Sequence, residues 1–162
     1  MIARYHFTSS ALLFAGLTLV AAAPAVAQSR SVEDRLKEKG ISYEVDGDGD
    51  YKLGISWSNE GRSQIVFISG KTEEVGGMTV REVFAPAAIV KDHNITGTTA
   101  LELLEASGKT KLGSWEIRGG VVYYVAKVFD SITANELDTV INIVSESADD
   151  KEIELTGGKD DL

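Results

Sequence analysis

The chain has 162 residues, no cysteine, and 25 acidic against 16 basic residues, a formal net charge of −9. Without thiols it has no disulfides, no thiolate zinc site and no cysteine nucleophile. Its acidity argues against nucleic acid and against anionic membrane surfaces, both of which call for a basic footprint.

The first 27 residues read as a leader outside the folded domain. Arg4 supplies the positive start, "ALLFAGLTLVAAA" the apolar run, and "APAVAQ" the small residues of a cleavage site between Ala27 and Gln28. That run is shorter than the ~20 residues a spanning helix needs. The expectation is an exported protein, periplasmic or secreted, with no membrane insertion after cleavage. One domain should fill residues 28–150, followed by an acidic tail over 151–162.

"SVEDRLKEKG" (31–40) predicts a short helix capped by Ser31 and stopped by Gly40. The period then changes to two. Ile41, Tyr43 and Val45 alternate with polar residues, as do Tyr51, Leu53, Ile55 and Trp57, giving two half-buried strands. "SQIVFISG" (63–70) is a third and more central strand. "GGMTVREVFAP" (76–86) is a fourth, with Pro86 marking its end or a sheet edge. A second helix falls within 94–108, where Thr99 and Glu102 have capping-box spacing and Gly108 a stop position. Strands over 111–117 and 121–129 flank the turn "RGG". The last helix opens on the pair Thr133 and Glu136 and carries Leu137, Val140, Ile141 and Val144 on one face. The order α-β-β-β-β-α-β-β-α with short hairpins predicts an α+β fold. Its antiparallel sheet has five or six strands and its helices pack on one face.

Chemical candidates are few. Asp46, Asp48 and Asp50 in "DGDGD" have the spacing that opens a calcium loop. Counting from Asp46, however, Tyr51 occupies the turn-glycine position and Trp57 the bidentate-glutamate position. Both residues also continue a strand pattern, so the segment reads as a hairpin turn with exposed carboxylates, and a weak calcium site is the lesser alternative. The two "SGKT" stretches lack the first glycine of a phosphate-binding loop, at Ile65 and Leu103. His93, beside Asp92, reads as a solvated loop residue. Glu73–Glu74 and Asp149–Asp150 read as solvated charges. No catalytic residue and no cofactor is expected.

Four aromatics remain as partner-binding candidates: Trp57, Trp115, Tyr123 and Tyr124. Tyr123 and Tyr124 are adjacent on a strand and must point to opposite faces. If helices cover one face only, an apolar patch stays open on the other, and such patches mark partners.

The segment "LLEASGKTKLGSWEIRGGVVYYVAKVFDSITANELDTVINIV" (103–144) resembles the C-terminal half of YbjN-family domains. "ISYEVDGDGDYKLGISW" and "SQIVFISG" resemble that family's opening hairpin. The resemblance covers about residues 32–150. It implies the fold shared with type III secretion chaperones, commonly a homodimer that binds protein segments, and it implies no catalytic residues. The leader and the extended fourth strand depart from the family. In a periplasm without ATP, chaperone action would be passive holding. The expected function is an exported, non-enzymatic binding protein, chaperone-like or regulatory, that takes a peptide or protein partner on a sheet face or dimer groove. The alternatives are a periplasmic hydrolase with carboxylates near Trp57 or Trp115, or an envelope protein stabilised by calcium at Asp46, Asp48 and Asp50.

Overall fold

The computed structural model describes residues 30–59 and 61–158. The expected leader, its expected cleavage point and the end of the expected acidic tail lie outside the described residues.

Helix α1, Val32–Lys39, starts on the Ser31 hydroxyl, which accepts from Asp34 N–H, and stops on the left-handed Gly40. Ile41 N–H then reaches back to Leu36 C=O at 3.0 Å. This Schellman closure turns Ile41 into the core, and it shortens the strand expected over 41–45. Only Glu44–Val45 pair, as β1. Strands β2 (Tyr51–Trp57) and β3 (Arg62–Ile68) form a full hairpin, all seven residues of each in register.

A short β4, Glu73–Val75, has no counterpart in the sequence reading; it folds onto the start of β5 through Gly76 and Gly77. Strand β5, Met78–Ile89, does not end at Pro86. It runs three residues further along β7 (Val121–Phe129), with its register slipping between Pro86 and Ala88. Pro86 does stand on a local edge, the β3 side of β5 being unpaired there. The ladder to β3 holds only Phe67↔Phe84 and Ile68↔Val83, so at Pro86 that side of β5 needs no ladder donor. There the buried Gln64 side chain takes over, its Nε2 donating to Pro86 C=O at 2.8 Å. The sheet order is β1-β2-β3-β5-β7-β6, with β6 being Ser114–Arg118 and β4 attached to β5. All pairs are antiparallel. The β6–β7 turn is Gly119-Gly120, both at positive φ, as a two-residue hairpin loop requires.

Helix α2, Gly97–Ser107, is capped by Thr96, whose hydroxyl accepts from Thr99 N–H. Thr99 is therefore inside the first turn and not the cap. Helix α3, Ala134–Thr156, has the full capping box of Thr133 and Glu136. It also corrects the expected tail. The helix runs on to Gly157, which adopts φ 74° and ends it. Glu152 is 1% exposed, and Leu155 packs on the small cluster of Ala88, Leu103 and Val122.

The three helices lie on one face of the sheet. α3 crosses β3, β5 and β7, α1 packs on α3, and α2 packs on β6. Between sheet and helices, Leu36, Leu53, Val66, Ile68, Val83, Leu137, Ile141 and Val144 are essentially solvent-free. Arg35 lies among them, 2% exposed. It donates to Asp130 C=O at 2.8 Å, to Ile132 C=O at 3.1 Å and to Asp130 Oδ1 at 3.1 Å. Arg81 Nε meets the same Oδ1 at 2.6 Å. Burial would raise the Asp130 pKa, but the hydrogen bonds from Arg81 and Arg35 outweigh it and hold the carboxyl below the ordinary range.

Candidate binding surfaces

The aspartate turn spends its carboxylates on the backbone. Asp46 Oδ1 accepts from Asp48 N–H at 2.9 Å and Asp50 N–H at 3.0 Å. Asp50 Oδ1 accepts from Gly70 N–H at 2.9 Å. Gly70 presses so close that a Cβ on it would lie 1.9 Å from Gly49 O, which accounts for a glycine there. Turn and neighbouring loop are thus tied by Asp46 and Asp50, a structural use of these side chains. Asp48 stays exposed. Among the described residues no three carboxylates or imidazoles converge as metal ligands.

The two adjacent tyrosines do part company. Tyr124 is 1% exposed, under the helices. Its hydroxyl donates to Leu112 C=O, and its ring meets Trp115 edge-on with centroids 4.9 Å apart. Gly113 makes room for it: at φ 88° a Cβ would sit 2.6 Å from the tyrosine ring. Tyr124 therefore has no surface to offer a partner, which corrects its candidacy. Trp115 is half-buried on the same face, with Lys151 Nζ 6.0 Å from its ring. Trp57 is half-buried at the far end of β2. It lines a hollow of about 330 Å³ with Arg62, Glu146, Asp149 and Asp150.

Tyr123 alone of the four lies on the helix-free face. That face is not the bare apolar patch expected of it. Phe67 stacks on Phe84 at 5.3 Å, and Tyr123 meets Phe84 edge-on at 5.8 Å. Arg118 lies over the Phe84 ring at 5.9 Å. It is held by Glu82 at 2.7 Å and Glu116 at 2.6 Å, and Lys127 closes the group on Glu116 at 2.8 Å. Burial would raise the Glu116 pKa, yet hydrogen bonds from Lys127 and Arg118 lower it. Beneath these four charges Val125 is 1% exposed although no helix covers it. The long arms of arginine and lysine cover the aromatics while their heads stay wet.

Exposed apolar side chains sit elsewhere. Leu101 and Leu104 of α2 are 68% and 67% exposed, and Ile117 on the adjoining β6 is 51% exposed. Residue spacing alone had a clue: Leu101, Leu103 and Leu104 spread over more of a helix than one buried stripe, and only Leu103 is buried. A second group, Val75, Met78 and Phe129, marks the β4–β5–β7 end.

The remaining sequence candidates also find places. His93 is not a solvated loop residue: it is half-buried, and its Nδ1 accepts from Ile89 N–H at 2.8 Å. Asp149 is not a solvated charge: it is 4% exposed and pairs with Arg62 at 2.8 Å. Glu74 accepts from the Thr79 hydroxyl, while Glu73 and Asp150 are exposed. Lowered carboxyl pKa values occur at Glu105, Glu116, Asp130 and Glu136. Each is explained by an ion pair or a helix cap. Among the described residues no helix is long and apolar enough to cross a membrane.

Models of known protein families give no match to the chain. A search of curated proteins gives none either.

Proposed function

We propose that the chain is an exported, non-enzymatic binding protein that engages a protein or peptide partner, chaperone-like or regulatory in role. The observation that carries this reading is the corner where α2 packs on β6. It leaves Leu101, Leu104 and Ile117 each more than half exposed, in a molecule that covers the aromatics of its open sheet face with its own ion pairs. Apolar side chains clustered beside an outer strand are what an interface core needs. The leader in the sequence supports a periplasmic or secreted site of action. The α+β arrangement with helices on one face is compatible with the resemblance to YbjN-family domains and, through it, with a dimer that holds protein segments passively.

The test is chemical cross-linking in the native envelope, with captured species identified by mass spectrometry. The comparison is between the natural chain and a Leu101→Glu/Leu104→Glu variant. Partner or self cross-links that disappear in the variant support the reading. Cross-links that persist unchanged in a variant of normal melting temperature remove the corner from consideration, and cross-links lost instead in Tyr123→Ala would move the contact to the open face.

A further inference from the structure

The two ends of the sheet differ: β6 is outermost at one, and at the other the two-residue β1 covers only the start of β2. β6 carries Glu116 and Arg118, charges of the kind that discourage pairing with other chains. β2 carries one charge, Lys52, at the end that β1 covers. β1 pairs with it only through Glu44↔Lys52 and Val45↔Tyr51, and the segment Leu53–Trp57, "LGISW", continues with neither charge nor proline.

The hydrogen-bond phase says which groups are left over. Asp46 N–H bonds Asp50 C=O at 3.0 Å. Antiparallel alternation then aims the backbone of Lys52, Gly54 and Ser56 toward the β1 side. β1 reaches Lys52 and stops, so Gly54 and Ser56, both exposed, present N–H and C=O groups outward to no described strand.

Gly54 has no explanation inside the fold. Its φ is not positive, and a Cβ there would meet nothing within 4 Å. A glycine inside a strand weakens it and often marks close approach of another backbone. Beside it Ser42, Tyr43, Glu44, Lys52 and Ile65 line a shallow concavity of about 460 Å³, one wall of which is the chain entering β1. At the other end of the edge, Trp57 borders the hollow that also holds Glu146 and Asp150. Arg62 in that hollow is engaged by Asp149, which leaves the exposed Glu146 and Asp150 as net negative charge.

We infer that the free edge of β2 accepts, as an added strand, an extended segment of another protein in which apolar and basic residues alternate. Period two sends alternate side chains to the two faces. On the open face an apolar side chain lies over Gly54 beside Ile65. On the helix-bearing face a lysine or arginine reaches Trp57, Glu146 and Asp150, a ring and two carboxylates that suit a cation. A second copy of this chain is disfavoured as occupant, because it would bring two sets of these acids together on molecules of charge −9. This site is separate from the α2–β6 corner.

The experiment is fluorescence anisotropy of the full chain with a labelled octapeptide of alternating valine and lysine. Its controls are the valine–glutamate counterpart and the valine–lysine peptide N-methylated at every second residue. Saturable binding of the first, with both controls weaker by at least about tenfold, is the expected result. Gly54→Pro should weaken binding to the same extent, since its N–H serves no ladder bond within the fold. A Glu146→Gln/Asp150→Asn variant should weaken binding by about threefold or more, and more so at low salt. Equal binding of the N-methylated peptide would overturn strand addition, whether or not Gly54→Pro folds. Equal binding of the glutamate peptide would overturn the basic partner. A dimer in sedimentation that Gly54→Pro dissolves would make a second copy the occupant. The Leu101→Glu/Leu104→Glu variant should bind the peptide as the natural chain does, so that failure of the corner and failure of the edge are read separately.

Discussion

The two faces of the sheet solve the same problem by different means. Under the helices, Val66, Ile68, Val83 and Ala126 have no measurable exposure, and the buried polar tip of Tyr124, its Oη, finds a carbonyl. On the other face no helix is available, so Glu82, Glu116, Arg118 and Lys127 span Phe84 and Tyr123 in a layer one side chain thick. The first solution rests on removing apolar area from water. The second rests on ion pairs about a third exposed, which solvent screens. Two consecutive tyrosines, chemically identical, should therefore differ several-fold in what they contribute.

The sharpest test of that asymmetry is Tyr124→Ala. A cavity under α3 should cost about 3–5 kcal/mol, measured by urea unfolding, whereas Tyr124→Phe should cost about 1 kcal/mol for the lost hydroxyl bond. Next comes Asp130→Ala, which strands the buried Arg35 and should cost about 3 kcal/mol.

The pH dependence follows from the same carboxyl. Asp130 titrates lower when folded than when unfolded. Its contribution is complete above the ordinary aspartate value of about 3.9 and fades as pH falls through the lowered folded value. The stability gap between the natural chain and Asp130→Asn should therefore be widest near neutrality and close in acid; a gap constant down to about pH 2 would disprove the linkage.

Tyr123→Ala should cost only about 1 kcal/mol, the scale of one edge-to-face contact. If it matches Tyr124→Ala, the open face is covered by something beyond its own charges. The smallest effect belongs to Leu104→Glu, expected within about 0.5 kcal/mol of the natural chain by thermal melting. A large loss there would mean that α2 is buried in an assembly.

Most of the architecture could be read from the residues because local and tertiary preferences agree. Ser31 and Gly40 bracket α1, Thr133 and Glu136 open α3, strict alternation marks β2, and a continuous apolar run marks β7. Two of the misreadings share one physical origin, a distant partner overriding a local signal. Pro86 is accommodated in a long strand because β3 has already turned away and Gln64 supplies the missing donor. Residues 151–156 look like an acidic tail by composition, yet Leu155 and Glu152 turn inward on a helix that other elements hold. The aromatics were sound guides to the two faces, but not to exposure. No pattern in the chain reveals that Arg118 folds back over Phe84; the bare leucines of α2 left only the trace of a stripe too wide to bury.

The pairing of β5 with β7 also has a kinetic meaning. The β2–β3 and β6–β7 hairpins close over a few residues, and hairpins form within about 1–10 microseconds. Ile89 must find Val121 across all of α2 and β6, and that longer closure costs more entropy than either hairpin. Until it happens, two hairpins with raw edges coexist in one chain. The rate at which β5 and β7 meet then governs how long those edges stay open to other molecules.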